Sequence, residues 1–305
     1  MKMSLDEIDY KILEILTDDH RKHNTEIAKE LGISRNTVNA KIKRFKQNNI
    51  IRNYTIILDP NWFYPKTIFL EIKTNPHEPW LADKLQNIPE CELIDGIIGE
   101  YSLILKIRIK ESFNEILSQI DSLMAKSASK KYQIIDIIHS YKENGYKFQK
   151  MAFRKRDPDL KDIELIEILQ NQGKKGLTHS EISQQLGKNG TQISQPAVFK
   201  RIKKLEDDSI IERFTISLDY SKLGLKTKFY VRIKVDPASY DKIAFEFLSL
   251  QPQISDLYRT GENYGLLAIV RTKDIDSYNS FIQNLYTDSR IIDTHTTLVL
   301  EERKK

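Results

Sequence analysis

From Ser34 to Asn48 the chain reads SRNTVNAKIKRFKQN, with the cations Arg35, Lys41, Lys43, Arg44 and Lys46 and no acid. Val38, Ile42 and Phe45 recur at helical spacing and turn inward. That leaves Arg35, Asn36, Thr37, Asn39, Lys41, Lys43, Arg44 and Lys46 on the outer side. A DNA major groove admits one helix, and the first residues of such a helix read base edges with their donors and acceptors. Cations further along suit phosphates. Most charge runs are merely solvated helix faces. A cationic face without an acid, directly after a helix and a tight turn, favours DNA instead.

A distorted copy of the same stretch returns as EISQQLGKNGTQISQPAVFKRIKKL at 181 to 205. Its last helix starts near Ser194. Gln195, Pro196, Ala197 and Phe199 stand where the first copy has Arg35, Asn36, Thr37 and Asn39. Pro196 suits a first helical turn. Lys200, Arg201, Lys203 and Lys204 keep the phosphate-type charge. The turn LGKNGTQIS is longer than in the first copy, so the two heads are expected to prefer different bases, or one to hold backbone only.

These helices belong to a repeat that spans about half the chain. TEIAKELG (25 to 32) matches SEISQQLG (180 to 187), and IIRNYTIILD (50 to 59) matches IIERFTISLD (210 to 219). GEY (99 to 101) matches GEN (261 to 263), and IIDIIH (134 to 139) matches IIDTHT (291 to 296), at an offset of 157. Each copy opens with an apolar stripe at helical spacing, as in Leu5, Ile8, Ile12, Leu13, Ile15 and Leu16. A second helix is expected from Thr25, as cap, to Leu31, broken by Gly32. The third helix and two β-like runs complete a winged helix-turn-helix with its own small ribbon.

Each copy then continues as strand, helix, hairpin, helix and strand. The first has KTIFLEIKT, residues 79 to 88, a hairpin turning at Gly99-Glu100, ESFNEILSQIDSLM and YQIIDIIH. The second has KFYVRIKV, AFEFLSL, ISDLYRTGENYGLLAIVRT, SYNSFIQNLY and IIDTHTTLVL. That βαββαβ order is ferredoxin-like. GLLAIV (265 to 270) is apolar on both parities, so both faces of the sheet are expected to be buried, the free face of one copy against that of the other.

The fold class is therefore α+β: two copies of a winged helix-turn-helix followed by a ferredoxin-like domain. The expected boundaries are 1–60 and 159–220 for the winged helices and 61–142 and 221–305 for the ferredoxin-like domains. A basic linker occupies 143–158.

Composition agrees with a globular chain: 305 residues, 40% hydrophobic, 30% charged and a net charge of +5. Cys91 is the one cysteine, so no internal disulfide or cysteine-rich zinc site is expected, and a reduced cytoplasmic setting is the simple reading. MKMSLDEIDYKIL does not read as a signal peptide, and no apolar run reaches the ~20 residues of a membrane span. No metal-ligand pair, G-x-S-x-G elbow or phosphate-cradling glycine loop occurs, so no catalytic residue, metal or cofactor is expected.

In the order of these pieces the chain resembles the Lrp/AsnC family, the leucine-responsive or feast/famine regulators of bacteria and archaea. LDEIDYKILEIL, TEIAKELGISRNTVNAKIKRF, IIRNYTIILDP and the GEY turn carry the likeness. It covers residues 4 to 140 and, more weakly, 158 to 303. The resemblance implies a transcriptional regulator that binds double-stranded DNA and is a homo-oligomer through effector domains. It implies a small-molecule effector, often an amino acid, near the glycine turns. Gly99, Glu100, Tyr101, Gly261, Glu262 and Asn263 are the matching positions, and Gly99 and Gly261 equally suit plain hairpin turns with positive φ. GEYS and GENY depart from the G-D-Y-D that family members often show.

Two heads on one chain look like a dimer fused head to tail, which would place half-sites about one turn, ~10.5 bp, apart. Two rival readings use the same architecture. One is a siroheme-decarboxylase-like enzyme, for which only His139 and His295 among the six histidines lie in the effector modules, on final strands. The other is an architectural or protein-binding scaffold.

Overall fold

The computed structural model describes residues 5–64, 66–109, 112–148, 156–187 and 193–303. The chain begins with α1 (Glu7–Asp18), α2 (Asn24–Leu31) and α3 (Arg35–Gln47). Asp6 and Asp9 close a capping box on α1, each carboxylate accepting from the other's backbone N–H. Gly32 ends α2 with φ 66, a left-handed value that costs glycine little. The hydroxyl of Ser34 caps α3 by accepting from Thr37 N–H. Thr25 is not the cap of α2. The helix starts at Asn24, with His23 in the cap position and no side-chain capping bond.

One strand follows α3, not two: β1 (Ile51–Leu58), which runs into the short α4 (Pro60–Phe63). Then come β2 (Lys66–Ile72), α5 (Pro79–Gln86), β3 (Cys91–Ile98), β4 (Leu103–Ile109), α6 (Phe113–Met124) and β5 (Tyr132–Glu143). β6 (Tyr146–Lys147) folds back on β5 through Asn144 and Gly145, both at positive φ as a tight hairpin needs. The expected linker therefore loses its first residues to a hairpin, and its part from 149 to 155 lies outside the described residues.

The second half repeats the order with α7 (Leu160–Gln170), α8 (His179–Gly187), α9 (Gln195–Asp207) and β7 (Ile211–Leu218). It continues with β8 (Thr227–Val235), α10 (Tyr240–Glu246), β9 (Ile254–Thr260), β10 (Leu266–Thr272), α11 (Ile275–Leu285) and β11 (Ile291–Arg303). α10 starts earlier than AFEFLSL suggests, and Leu248–Leu250 form a 3-10 turn. The inserted residues 188 to 192 lie outside the described ones.

These elements gather into two compact units, Met1–Asp59 with Met151–Gly224 and Pro60–Lys150 with Leu225–Lys305. In the first unit β1 pairs antiparallel with β7, Tyr54 opposite Ile216 and Ile56 opposite Phe214. The expected ribbon inside each copy is thus replaced by a shared one. The chain enters α4 at Pro60 directly after β1, and the N–H and C=O groups of that strand find their partners on β7. Beneath it Ile12, Leu16, Ile27, Val38 and Phe45 are buried together with Ile216 of the other half.

In the second unit one sheet runs β2-β4-β3-β11-β8-β10-β9-β5-β6, and β5 also pairs with β2. Eight of the strands therefore close into a ring, with β3–β11 and β5–β9 as the seams between halves. β5 and β11 serve both halves because each is long: its first part pairs within its own half and its last part across. Alternate residues face two cores, which explains the strands without polar alternation. Leu266, Ala268 and Val270 pack among residues of α10 and α11, whereas Leu267 and Ile269 pack inward with Phe69, Ile104, Tyr230 and Tyr258.

The register also corrects the last repeat offset. Glu71 lies opposite Gln133, and Arg232 lies opposite His295. His295 therefore corresponds to Gln133, a spacing of 162, and the likeness of IIDIIH to IIDTHT at 157 is misleading.

Candidate nucleic-acid interface and inter-half cluster

α3 presents Arg35, Asn36, Thr37, Asn39 and Lys43 to solvent. Arg35 and Lys43 have no ion-pair partner among the described residues. The other cations of this helix are tied down. Lys41 Nζ lies 2.7 Å from Asp6 and 2.8 Å from Asp9, and Arg44 lies 2.5 Å from Asp9, whose side chain is 1% exposed. Lys46 Nζ sits 4.6 Å from the centroid of the Tyr54 ring. These three were expected to face phosphates. Instead, Lys41 and Arg44 neutralise a buried carboxylate of the capping box and Lys46 lies on an aromatic face.

The second half repeats the device. Arg201 Nη1 lies 2.9 Å from Asp159 and 2.7 Å from Asp162, and Arg156 also reaches Asp162, at 2.7 Å. Arg201 is therefore withdrawn from the expected phosphate set as well. Gln195, Lys200, Lys203 and Lys204 are exposed, and the three lysines have no ion-pair partner among the described residues. Asp6 with Asp9 and Asp159 with Asp162 are both spaced as capping boxes, which the sequence shows, but which cations meet them is set by how the helices cross.

One matched position differs in kind. Asn24 Nδ2 donates to Asn39 Oδ1 at 2.5 Å. At the corresponding places in the second half, the His179 and Phe199 rings meet edge to face at 5.6 Å, and Phe199 is 53% exposed.

In the second unit the glycine turns meet a cluster of charged groups drawn from both halves. Glu262 accepts from Gln133 Nε2 at 2.7 Å and from Arg232 Nε at 3.2 Å. Arg232 also pairs with Glu71 at 2.6 Å, and both of these side chains are nearly buried. The Tyr101 hydroxyl donates to Gln133 Oε1 at 3.1 Å. Of the six turn residues singled out, Tyr101 and Glu262 are thus brought together through Gln133. Gly261 N–H donates to the Asp136 carbonyl, Glu100 pairs outward with Lys131, and Asn263 is exposed. Gly99 has φ +148, whereas Gly261 does not need a positive φ.

Glu71, Arg232 and Gln133 were not anticipated. Their signal was a charged residue, Glu71 or Arg232, or an amide, Gln133, inside an otherwise apolar strand. A second buried pair, Lys228 with Asp95 at 2.5 Å, takes a hydrogen bond from the Tyr230 hydroxyl. Burial, with Asp95 beside it, pushes that phenol well above its ordinary range. His139 packs beside Tyr141 and His295 is exposed near Tyr264. Among the described residues no group of histidine, cysteine or carboxylate side chains could hold a metal, and no helix is long and apolar enough to cross a membrane.

A helix-turn-helix with a cationic second helix, followed by an α+β module, defines a DNA-binding regulator with a ligand-binding domain. The comparisons give the same class. A family model for winged helix-turn-helix DNA-binding matches residues 5–52, and one for the Lrp/AsnC ligand binding domain matches residues 228–305. The HTH-type transcriptional regulator FL11 of Pyrococcus horikoshii is 31% identical over 144 residues, which cover 47% of this chain and 90% of FL11. The HTH-type transcriptional regulator LysM of Sulfurisphaera tokodaii is 31% identical over 145 residues, covering 47% of this chain and 96% of LysM. The chain belongs to the Lrp/AsnC family. The crystal structure of the siroheme decarboxylase NirDL aligns over 98% of this chain and 92% of its own, with a TM-score of 0.67 at 12% identity, a likeness of fold alone.

Proposed function

We propose that the chain is a sequence-specific transcriptional regulator that carries two DNA-reading heads, 1–60 and 159–220, on one polypeptide. The winged helix-turn-helix is duplicated in this reading. The ferredoxin-like domains 61–142 and 221–305 form the paired effector region, whose ligand is an amino acid or similar small molecule, and further self-association runs through them. The observation that carries the reading is the outer side of α3: Arg35, Asn36, Thr37 and Lys43 are exposed, and its two cations among them have no partner among the described residues. Arg35, Asn36, Thr37 and Asn39 would meet base edges, and Lys43 a phosphate. Lys200, Lys203 and Lys204 would hold backbone at the second half-site.

The test is fluorescence anisotropy with mixed genomic duplex across a salt series, with selection of bound fragments. If roughly six phosphates are neutralised, log K falls against log salt with a slope near −5. Enriched fragments establish the regulator. A steep slope without enrichment indicates an architectural DNA-coating protein, and no binding at low salt ends the DNA reading.

The fold shared with the siroheme decarboxylase NirDL favours one second reading, an enzyme acting on an iron tetrapyrrole. An absorbance titration of the purified chain with siroheme decides it. A bound spectrum together with loss of carboxyl groups supports the enzyme, and an unperturbed spectrum removes it.

A further inference from the structure

The two heads share a scaffold but differ at one outward pair. In the first half, Asn24 takes up the carbonyl oxygen of Asn39. That leaves the NH2 group of the exposed Asn39 available as a hydrogen-bond donor. In the second half the same two places hold His179 and Phe199, and the histidine ring braces the phenylalanine ring edge to face. Phe199 lies on α9 among Lys200, Lys203 and Lys204, all exposed. A large apolar ring standing out of a cationic field is poorly placed for an apolar protein partner, because docking there would desolvate the lysines. A polyanion that also offers apolar atoms suits both features. Duplex DNA does so in one place, the thymine C5-methyl in the major groove.

We propose that Phe199 is the specificity-determining residue of the second head, packing against thymine methyl groups, so that one half of the operator is read by methyl contact and the other by hydrogen bonding. This rests on the reading that α3 and α9 enter DNA grooves. Pro196 and Ala197 are consistent with it, since they leave the first turn of α9 with little hydrogen-bonding capacity apart from Gln195.

The experiment uses the full chain and a randomised duplex pool. Wild type and Phe199→Asn are each carried through selection, with thermal denaturation confirming that both fold. Wild type is expected to enrich sites with thymines in one half. Phe199→Asn should lose that preference while the other half is unchanged. The selected duplex is then made with deoxyuridine in place of those thymines, which deletes only the methyl. Wild-type affinity should fall about fourfold per methyl removed, and the affinity of Phe199→Ala should not change. The proposal is overturned if the uracil duplex binds wild type as tightly as the thymine duplex, or if Phe199→Asn selects the same sites. If wild type binds no duplex at low salt, the groove reading itself has failed, and that outcome is visible before any variant is compared.

Discussion

Lys41 and Lys43 stand two residues apart on α3 and do different work. Lys41 points back to Asp6 and the buried Asp9, whereas Lys43 faces solvent without an ion-pair partner among the described residues. Replacing Lys41 by Ala leaves Arg44 as the cation on Asp9, beside the Asp6 N–H, and should lower stability by roughly 1–2 kcal/mol, read from urea unfolding. Lys43→Ala should leave stability within about 0.5 kcal/mol, and should make the salt slope of DNA binding shallower by about 0.9. If Lys41→Ala instead behaved as Lys43→Ala should, the inward tie would be wrong. Helical spacing gave the correct buried residues of α3. It could not separate the two lysines, because which outward cation meets an acid depends on how α1 crosses α3, and spacing within one helix carries no such information.

At the scale of elements, the sequence marks the stretch after α3 as β-like but not what it pairs with. Apolar content reports burial, while partner choice is set by where the chain can turn. The shared ribbon of β1 and β7 therefore could not be read, and the two β-like runs expected in each copy are one continuous strand. The ribbon also traps a histidine. The His20 backbone N–H donates to the Phe214 carbonyl, and its ring meets Tyr54 at 5.0 Å and Phe214 at 5.8 Å, with Nε2 buried and unpaired. Burial lowers its pKa from 6.5 to about 4, against the pull of Asp19. In the unfolded chain the ring binds its proton near pH 6.5, so between about 6.5 and 4 the unfolded state holds more protons and stability rises with pH. The contribution is complete above that window and is lost as pH falls through it. It amounts to roughly 3 kcal/mol at most. Unfolding free energy followed from pH 7.5 to 4 should fall more steeply for wild type than for His20→Leu, and parallel curves would show that the ring is not held neutral by the fold.

For the molecule as a whole, the recurring order of elements is what the sequence displays best, and how the two halves join is what it displays least. The order βαββαβ and the double-sided burial of GLLAIV were legible, because period and composition record them. The closing of two four-strand sheets into a ring was not, because β5 and β11 change partner midway with only bulges to mark it. Across that ring Glu71 and Arg232 sit at matched places on β2 and β8, one acid and one base where two identical chains would place like charges together. The two removals should then be unequal. Arg232→Gln leaves the nearly buried Glu71 without its cation, and should cost roughly 3 kcal/mol. Glu71→Gln leaves Arg232 still bound to Glu262 and should cost about 1 kcal/mol. The double variant removes both charges and should be more stable than the sum of the singles implies, by about 1–2 kcal/mol. Denaturant unfolding of the four proteins measures all three values. Additive losses, or a larger loss for Glu71→Gln, would mean that this pair does not hold the two halves together.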